Sequence, residues 1–168
     1  MTVARNSHCS WCGHPFEDGA PWPRTCASCE KISYINPVPV AVALVPVDEG
    51  LLVIRRGIEP RLGSIALPGG FIDHGEDWKV ACTREVFEET QVQLDPEQVE
   101  DFCVLSAPDG TVLIFGLTQS LKSEDLPPFK PTNETSERLV ITDLSQTLAF
   151  PLHTEAARRY FEREGTEA

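Results

Sequence analysis

The sequence predicts an α+β chain, a mixed set of strands with two helices, preceded by a small cysteine-bound module over residues 1–37. Three observations predict it. Two C-x2-C pairs fall within the first thirty residues. Short apolar runs of strand length, punctuated by Gly, Pro and Asp, fill the middle and later chain. One stretch from Asp77 runs for about four turns without Gly or Pro, and a second helical stretch closes the chain.

At 168 residues the chain corresponds to about one ordinary domain, or to one domain plus a small appendage. Its 14 basic and 26 acidic residues give a net charge of −12, which disfavours nonspecific binding to nucleic acid or to an anionic membrane. No apolar run approaches the roughly 18 residues of a membrane span. The start, MTVARNSHCSWC, has no hydrophobic signal core. A soluble cytoplasmic protein, with neither nucleic acid nor membrane as partner, is therefore expected; whether it forms a homodimer is left open.

The first element is set by Cys9, Cys12, Cys26 and Cys29, two knuckles separated by thirteen residues. That spacing fits tetrahedral zinc, with thiolates about 2.3 Å from the metal. Disulfides are the alternative, disfavoured in a chain without an export signal. Residues 8 to about 37 are too few for a hydrophobic core, so a metal is needed to fold them, and the outline is that of a zinc ribbon. Trp11, Trp22 and Tyr34 are available to cover the site, and His8 and His14 are expected to lie at the surface. Cys82 and Cys103 stand among apolar residues and read as small buried hydrophobes.

Pro37-Val38-Pro39 marks the junction with the main domain, residues 38–168. Val40 to Val45 and Leu51 to Arg56 read as strands joined by a turn at Asp48-Glu49-Gly50. A loop from Gly57 to Ser64 leads through Ile65-Ala66-Leu67 to Pro68-Gly69-Gly70, and Gly75 allows a tight turn before the helix. After it, Phe102 to Ala107 and Thr111 to Thr118 flank Pro108-Asp109-Gly110 as a hairpin. Lys122 to Ser136, broken by Pro127, Pro128 and Pro131, reads as a loop over a cleft. Leu139-Val140-Ile141 is a short strand, and Thr154 to Glu164 a closing helix.

The chemistry concentrates between Gly69 and Val92, GGFIDHGEDWKVACTREVFEETQV. Glu85, Glu88 and Glu89 stand at i, i+3 and i+4, on one helix face within an arc of about 100°. Each like-charge pair costs roughly 0.2–0.5 kcal/mol in an isolated helix, so the three together call for a cation. Arg84 supplies one charge and a hard divalent metal would supply more. Oxygen-only ligands favour Mg²⁺ or Mn²⁺ over zinc. Val80, Thr83 and Phe87 are expected to pack the opposite face on a sheet. The alternative reading is a solvated acidic face, which would leave Gly70, Glu76 and Arg84 unexplained.

Gly70, five residues, Glu76, seven residues, then Arg84-Glu85-Val86-Phe87-Glu88-Glu89-Thr90-Gln91-Val92 resembles the Nudix box, G-x5-E-x7-R-E-U-x-E-E-x-G-U with U aliphatic. One fixed position departs: Gln91 stands where the family has Gly, at the left-handed residue expected to close the helix, a cost of about 1 kcal/mol. Many relatives also carry Trp where Ile65 stands. The paired cysteines followed by Tyr34-Ile35-Asn36-Pro37 resemble the ribbon of the Nudix subgroup of NADH, FAD and ADP-ribose pyrophosphatases. Leu148-Ala149-Phe150-Pro151 and His153 resemble the tail of its FAD and ADP-ribose members, whereas the SQPWPFPxS signature of NADH pyrophosphatases is not found.

The resemblance implies a Nudix-type α/β/α sandwich that hydrolyses the pyrophosphate of a nucleoside diphosphate linked to another moiety, with ADP-ribose or FAD ahead of NADH. It implies that Glu85, Glu88 and Glu89 bind Mg²⁺ or Mn²⁺, that the Gly70 carbonyl adds a ligand, that Arg84 orients Glu85, and that Glu76 braces the loop. The general base is left open between Glu85, Glu88 and a residue on the late loop. There Glu134 resembles the further glutamate of related enzymes and is preferred to Glu137. The contrasting reading is a non-catalytic nucleotide-sensing or ribbon-mediated interaction module, which would have no need of three repelling acids.

Overall fold

Val38–Leu44 (β3) carries an apolar side chain at nearly every position, as a strand does when both faces of its sheet are covered. In the computed structural model, which describes residues 4–164, this strand is central. Its alternate residues enter two cores. Val42 and Leu44 join a cluster with Leu51, Val53, Phe115, Ala156 and Tyr160; Ala41 and Ala43 join another with Leu52, Ala81, Cys82 and Val86. The period of two thus divides one strand between two layers of helix. Full burial of a side chain such as Phe115, Leu44 or Val86 contributes about 1.5–3 kcal/mol.

The chain divides into two compact units, Met1–Pro37 and Val38–Ala168. In the first, Arg24–Thr25 (β1) and Ile32–Ser33 (β2) form a small antiparallel ribbon. In the second, the strands following β3 are Pro46–Val47 (β4), Gly50–Arg56 (β5), Ile65–Ala66 (β6), Gly69–Phe71 (β7), Glu100–Ser106 (β8), Thr111–Leu117 (β9) and Thr135–Ile141 (β10). One sheet has the order β7-β3-β9-β8, with β3 parallel to β9 and the other pairs antiparallel. The other runs β10-β5-β4, with β6 on β5. The helices are Trp78–Thr90 (α1) and Pro151–Glu164 (α2), one in each core, which completes the α/β/α sandwich.

Three boundaries differ from the sequence reading. The hairpin at Asp48-Glu49 joins only β4 to β5, because β3 is taken up by β7 and β9. Strand β10 begins at Thr135 rather than Leu139, since Thr135 and Glu137 already pair with Arg56 and Arg55 despite their polarity. Helix α2 begins at Pro151, where a fixed φ and a missing N–H cost nothing in the first turn. No helix of the described residues is long and apolar enough to cross a membrane.

Candidate active site

Helix α1 starts cleanly. Asp77 is its N-cap, the side chain accepting from Lys79 N at 2.8 Å, and Gly75 turns the preceding loop at φ 83°. The helix ends at Gln91, left-handed at φ 62°, whose N–H donates to Phe87 O. Its packing face is formed by Ala81, Cys82, Val86, Glu89 and Thr90 with Trp78, whereas Val80 and Phe87 are 44% and 51% exposed. The expected packing face of Val80, Thr83 and Phe87 is therefore wrong except for Thr83. At about 100° per residue, Glu85 and Glu89 lie on the flank of the Cys82–Val86 stripe rather than opposite the sheet. The acids are held against the core's edge, and that changes their chemistry.

Glu89 is 5% exposed and accepts from Gly69 N at 2.9 Å. Burial, with Glu85 nearby, pushes its carboxyl up to about 8. Burial likewise raises Glu85, although Arg84 opposes the shift. A Cβ at Gly70 would overlap the Glu85 carboxylate, so a side chain there would displace that carboxylate. Glu88 is more exposed, its side chain 56% accessible. Both raised acids also feel the charge of Glu134.

Arg84 is the hub of the loop. Its Nε and Nη2 donate to the two oxygens of Glu76 at 2.8 and 3.0 Å, Nη2 also to Phe71 O, and Nη1 to Glu85 at 2.7 Å and more distantly to Glu88 at 3.4 Å. The bidentate geometry suits a guanidinium. Glu76 also accepts from Asp73 N at 3.0 Å, and these contacts hold its carboxyl below the usual range. Glu76 thus ties the Asp73–Glu76 turn to the helix. Glu137 is in an ion pair with Arg55 at 2.8 Å. Glu134 lies just before β10; its carbonyl accepts from Gly57 N and its N–H donates to Thr132 Oγ1. Among the described residues Glu134 has no ion pair.

The oxygen-only set of Glu85, Glu88, Glu89 and the Gly70 strand fits a hard divalent cation, since buried acids with one shared arginine leave negative charge uncompensated. Their oxygens are engaged with Arg84 and Gly69 N rather than gathered around one point. By contrast the sulfurs of Cys9, Cys12, Cys26 and Cys29 all lie within 4.8 Å of one another. No disulfide joins them, and the N–H groups of Trp11 and Ser28 point at the Cys9 and Cys26 sulfurs from within each knuckle. This cluster fits zinc. That aromatic cover is not there: Trp11 and Tyr34 are 64% and 63% exposed, and Trp22 packs edge-on against Phe16. Ser33 covers Cys9 instead. Cys82 is buried, its thiol pushed up to about 12. His153 is core: wedged between Phe115 and Phe150, it is pushed down to about 3 by burial and stays neutral.

Residues 37–163 match the NUDIX domain. The chain belongs to the NUDIX family. Among curated Nudix relatives it is 33% identical over 87 residues to the NAD-capped RNA hydrolase NudC of Edwardsiella ictaluri, a match covering 51% of this chain and 34% of that protein. To the ADP-ribose pyrophosphatase of Methanocaldococcus jannaschii it is 37% identical over 76 residues, 45% of this chain and 44% of that one. The matches thus span less than half the length of either relative. The crystal structure of a NUDIX hydrolase from Nitrosomonas europaea superposes with a TM-score of 0.76 at 25% identity, covering 95% of this chain and 93% of that one.

Two connections have no signature in the sequence. Arg138, on β10, donates to Thr90 O at 2.8 Å and Pro127 O at 2.6 Å, and the Gln91 side chain reaches Lys130. A strand arginine and a glutamine have too many uses for spacing to single them out.

Proposed function

We propose that this Nudix domain hydrolyses the pyrophosphate bond of a nucleoside diphosphate linked to another moiety, with ADP-ribose or FAD preferred, using Mg²⁺ or Mn²⁺. The observation that carries it is the helix face itself: Glu89 is buried and Glu85 part-buried against a glycine strand, with Glu88 beside them and one arginine to share. A divalent metal there supplies charge neutralisation on phosphate oxygens and an acidified water. The chain's own residues do the rest. Glu85, Glu88 and Glu89 would hold it, the Gly70 carbonyl would add an oxygen, Arg84 and Glu76 keep Glu85 in place, and Glu134 would complete the site from the late loop. Water oxygen bonds to one phosphorus as the bridging P–O bond breaks, and a carboxylate from Glu85, Glu88 or Glu134 takes the water proton. The products are a nucleoside monophosphate and a phosphorylated partner. Relatives named as an ADP-ribose pyrophosphatase and as an NAD-capped RNA hydrolase support a nucleotide-linked substrate.

The test is steady-state hydrolysis of ADP-ribose, FAD, NADH and an NAD-capped RNA with Mg²⁺ or Mn²⁺, products separated by chromatography, for wild type, Glu134→Gln and Glu137→Gln. Wild type should turn over ADP-ribose or FAD. Glu134→Gln should lower kcat by roughly a hundredfold with little change in KM, the signature of an interaction made in the transition state. Glu137→Gln, an ion-pair change in the sheet, should stay near wild type. Equal rates in all three remove Glu134 from the site, and no turnover by wild type favours a nucleotide-sensing module.

A further inference from the structure

The Gln91 side chain does something that the glycine of the Nudix pattern could not. Its backbone sits at φ 62°, where glycine is at ease and a side chain is strained. Its amide nevertheless makes two hydrogen bonds to one residue: Nε2 donates to Lys130 O and Oε1 accepts from Lys130 N, both at 2.8 Å. Paired in this way, the amide stands in for one residue of a neighbouring strand.

The segment it grips runs from Leu126 to Pro131. Pro127, Pro128 and Pro131 have no N–H to give, so the segment cannot pair as a ladder. An open cavity of about 350 Å³, lined by Phe87, Gln91, Val92, Leu121, Leu126 and Pro127, lies against it. Leu126 packs against the α1-side core and, past the prolines, Glu134 O accepts from Gly57 N; between these anchors the polar ties are Arg138, which donates to Pro127 O and lies over the Phe129 ring, and Gln91 to Lys130. Both lead to the C-terminal end of α1, since Arg138 also donates to Thr90 O. Four residues beyond Lys130 stands Glu134, its carbonyl accepting from Gly57 N, immediately before β10, whose Arg138 reaches the end of α1.

We propose that Gln91 is a positioning residue: by clamping the Lys130 backbone to the end of the glutamate helix, it fixes where the proline-rich segment delivers Glu134 to the metal-binding face. The inference rests on the hydrolase reading above. It gives the strained side chain a purpose, because the tether and the three glutamates share one rigid helix and so move together.

The decisive variant is Gln91→Gly, which relieves the backbone and removes the clamp at once. A merely structural glutamine predicts that stability and activity move together; a positioning one predicts that they part. The thermal midpoint of Gln91→Gly should stay at or above wild type, and exchange of the Lys130 amide should accelerate. Its kcat for ADP-ribose or FAD should fall roughly tenfold to a hundredfold, with KM near wild type, as expected of a misplaced catalytic group. Lys130→Pro, which deletes the donor from the other side, should lower kcat similarly and add little to Gln91→Gly in the double variant. An unchanged kcat in Gln91→Gly beside an active wild type overturns the positioning role and leaves the hydrolase reading standing. A loss of kcat that tracks a fall in midpoint also overturns it. An inactive wild type overturns both.

Discussion

Glu89 serves two opposed demands. It is buried against the core, where a carboxylate is costly, and its neighbour Glu85 adds like charge; only Gly69 N and the field of Arg56 favour its ionised form. Folding tolerates it, and metal binding would use it. Glu89→Gln keeps an oxygen to accept from Gly69 N and removes the repulsion. The melting temperature without divalent metal should therefore equal or exceed that of wild type, while turnover at saturating Mg²⁺ should fall by roughly a hundredfold or more. Calorimetry and steady-state rates on one preparation check both halves. A variant that lost stability without losing rate would make Glu89 a structural residue. The identity of this residue was readable from its spacing, because i, i+3 and i+4 are fixed by helix geometry. Its burial was not, since that depends on which side of α1 the sheet occupies.

At the scale of elements, what the sequence disclosed followed from local chemistry. Paired cysteines at knuckle spacing, the start of α1 near Asp77, glycine turns and prolines all act within a few residues, and they lie where spacing predicts. The packing face of α1 is not local. Val80 and Phe87 are apolar yet exposed, while Cys82 and Ala81 are buried, because β3 meets the helix on that side. Strand β10 was similarly hidden: its first residues are polar, and their pairing with Arg55 and Arg56 is set by β5. The ribbon allows an element-scale test. Without metal its four thiols have no other staple, whereas bound zinc supplies on the order of 10–16 kcal/mol of apparent binding energy to such modules. Purified protein should contain about one zinc per chain. Cys26→Ser should lose that zinc and the amide protection of residues 8–33, yet leave the melting of the Nudix unit intact, since its cores draw only on residues beyond 37. Collapse of both units together would refute their independence.

The whole molecule divides its charge unevenly. Residues 1–37 hold three basic and three acidic side chains, so they are neutral, and the entire −12 falls on residues 38–168, with 11 basic and 23 acidic. A nucleoside diphosphate ester is itself an anion. The field of the Nudix unit should therefore slow its approach at low ionic strength, where the screening length is about 30 Å at 0.01 M against about 8 Å at 0.15 M. With free Mg²⁺ held constant, kcat/KM for ADP-ribose should rise as KCl is added over that range, by a factor on the order of two to ten. An NAD-capped RNA should follow the same sign more steeply, because each added phosphate meets the same repulsion. Phosphate contacts made by a basic surface would give the reverse, a fall in affinity with salt that steepens with the number of contacts. Rates at four or five salt concentrations, for the small substrate and the capped one, separate the two. A rise for both supports a site that small pyrophosphates enter against the field, whereas a fall confined to the RNA would show that a cationic surface outside the glutamate face engages the polymer.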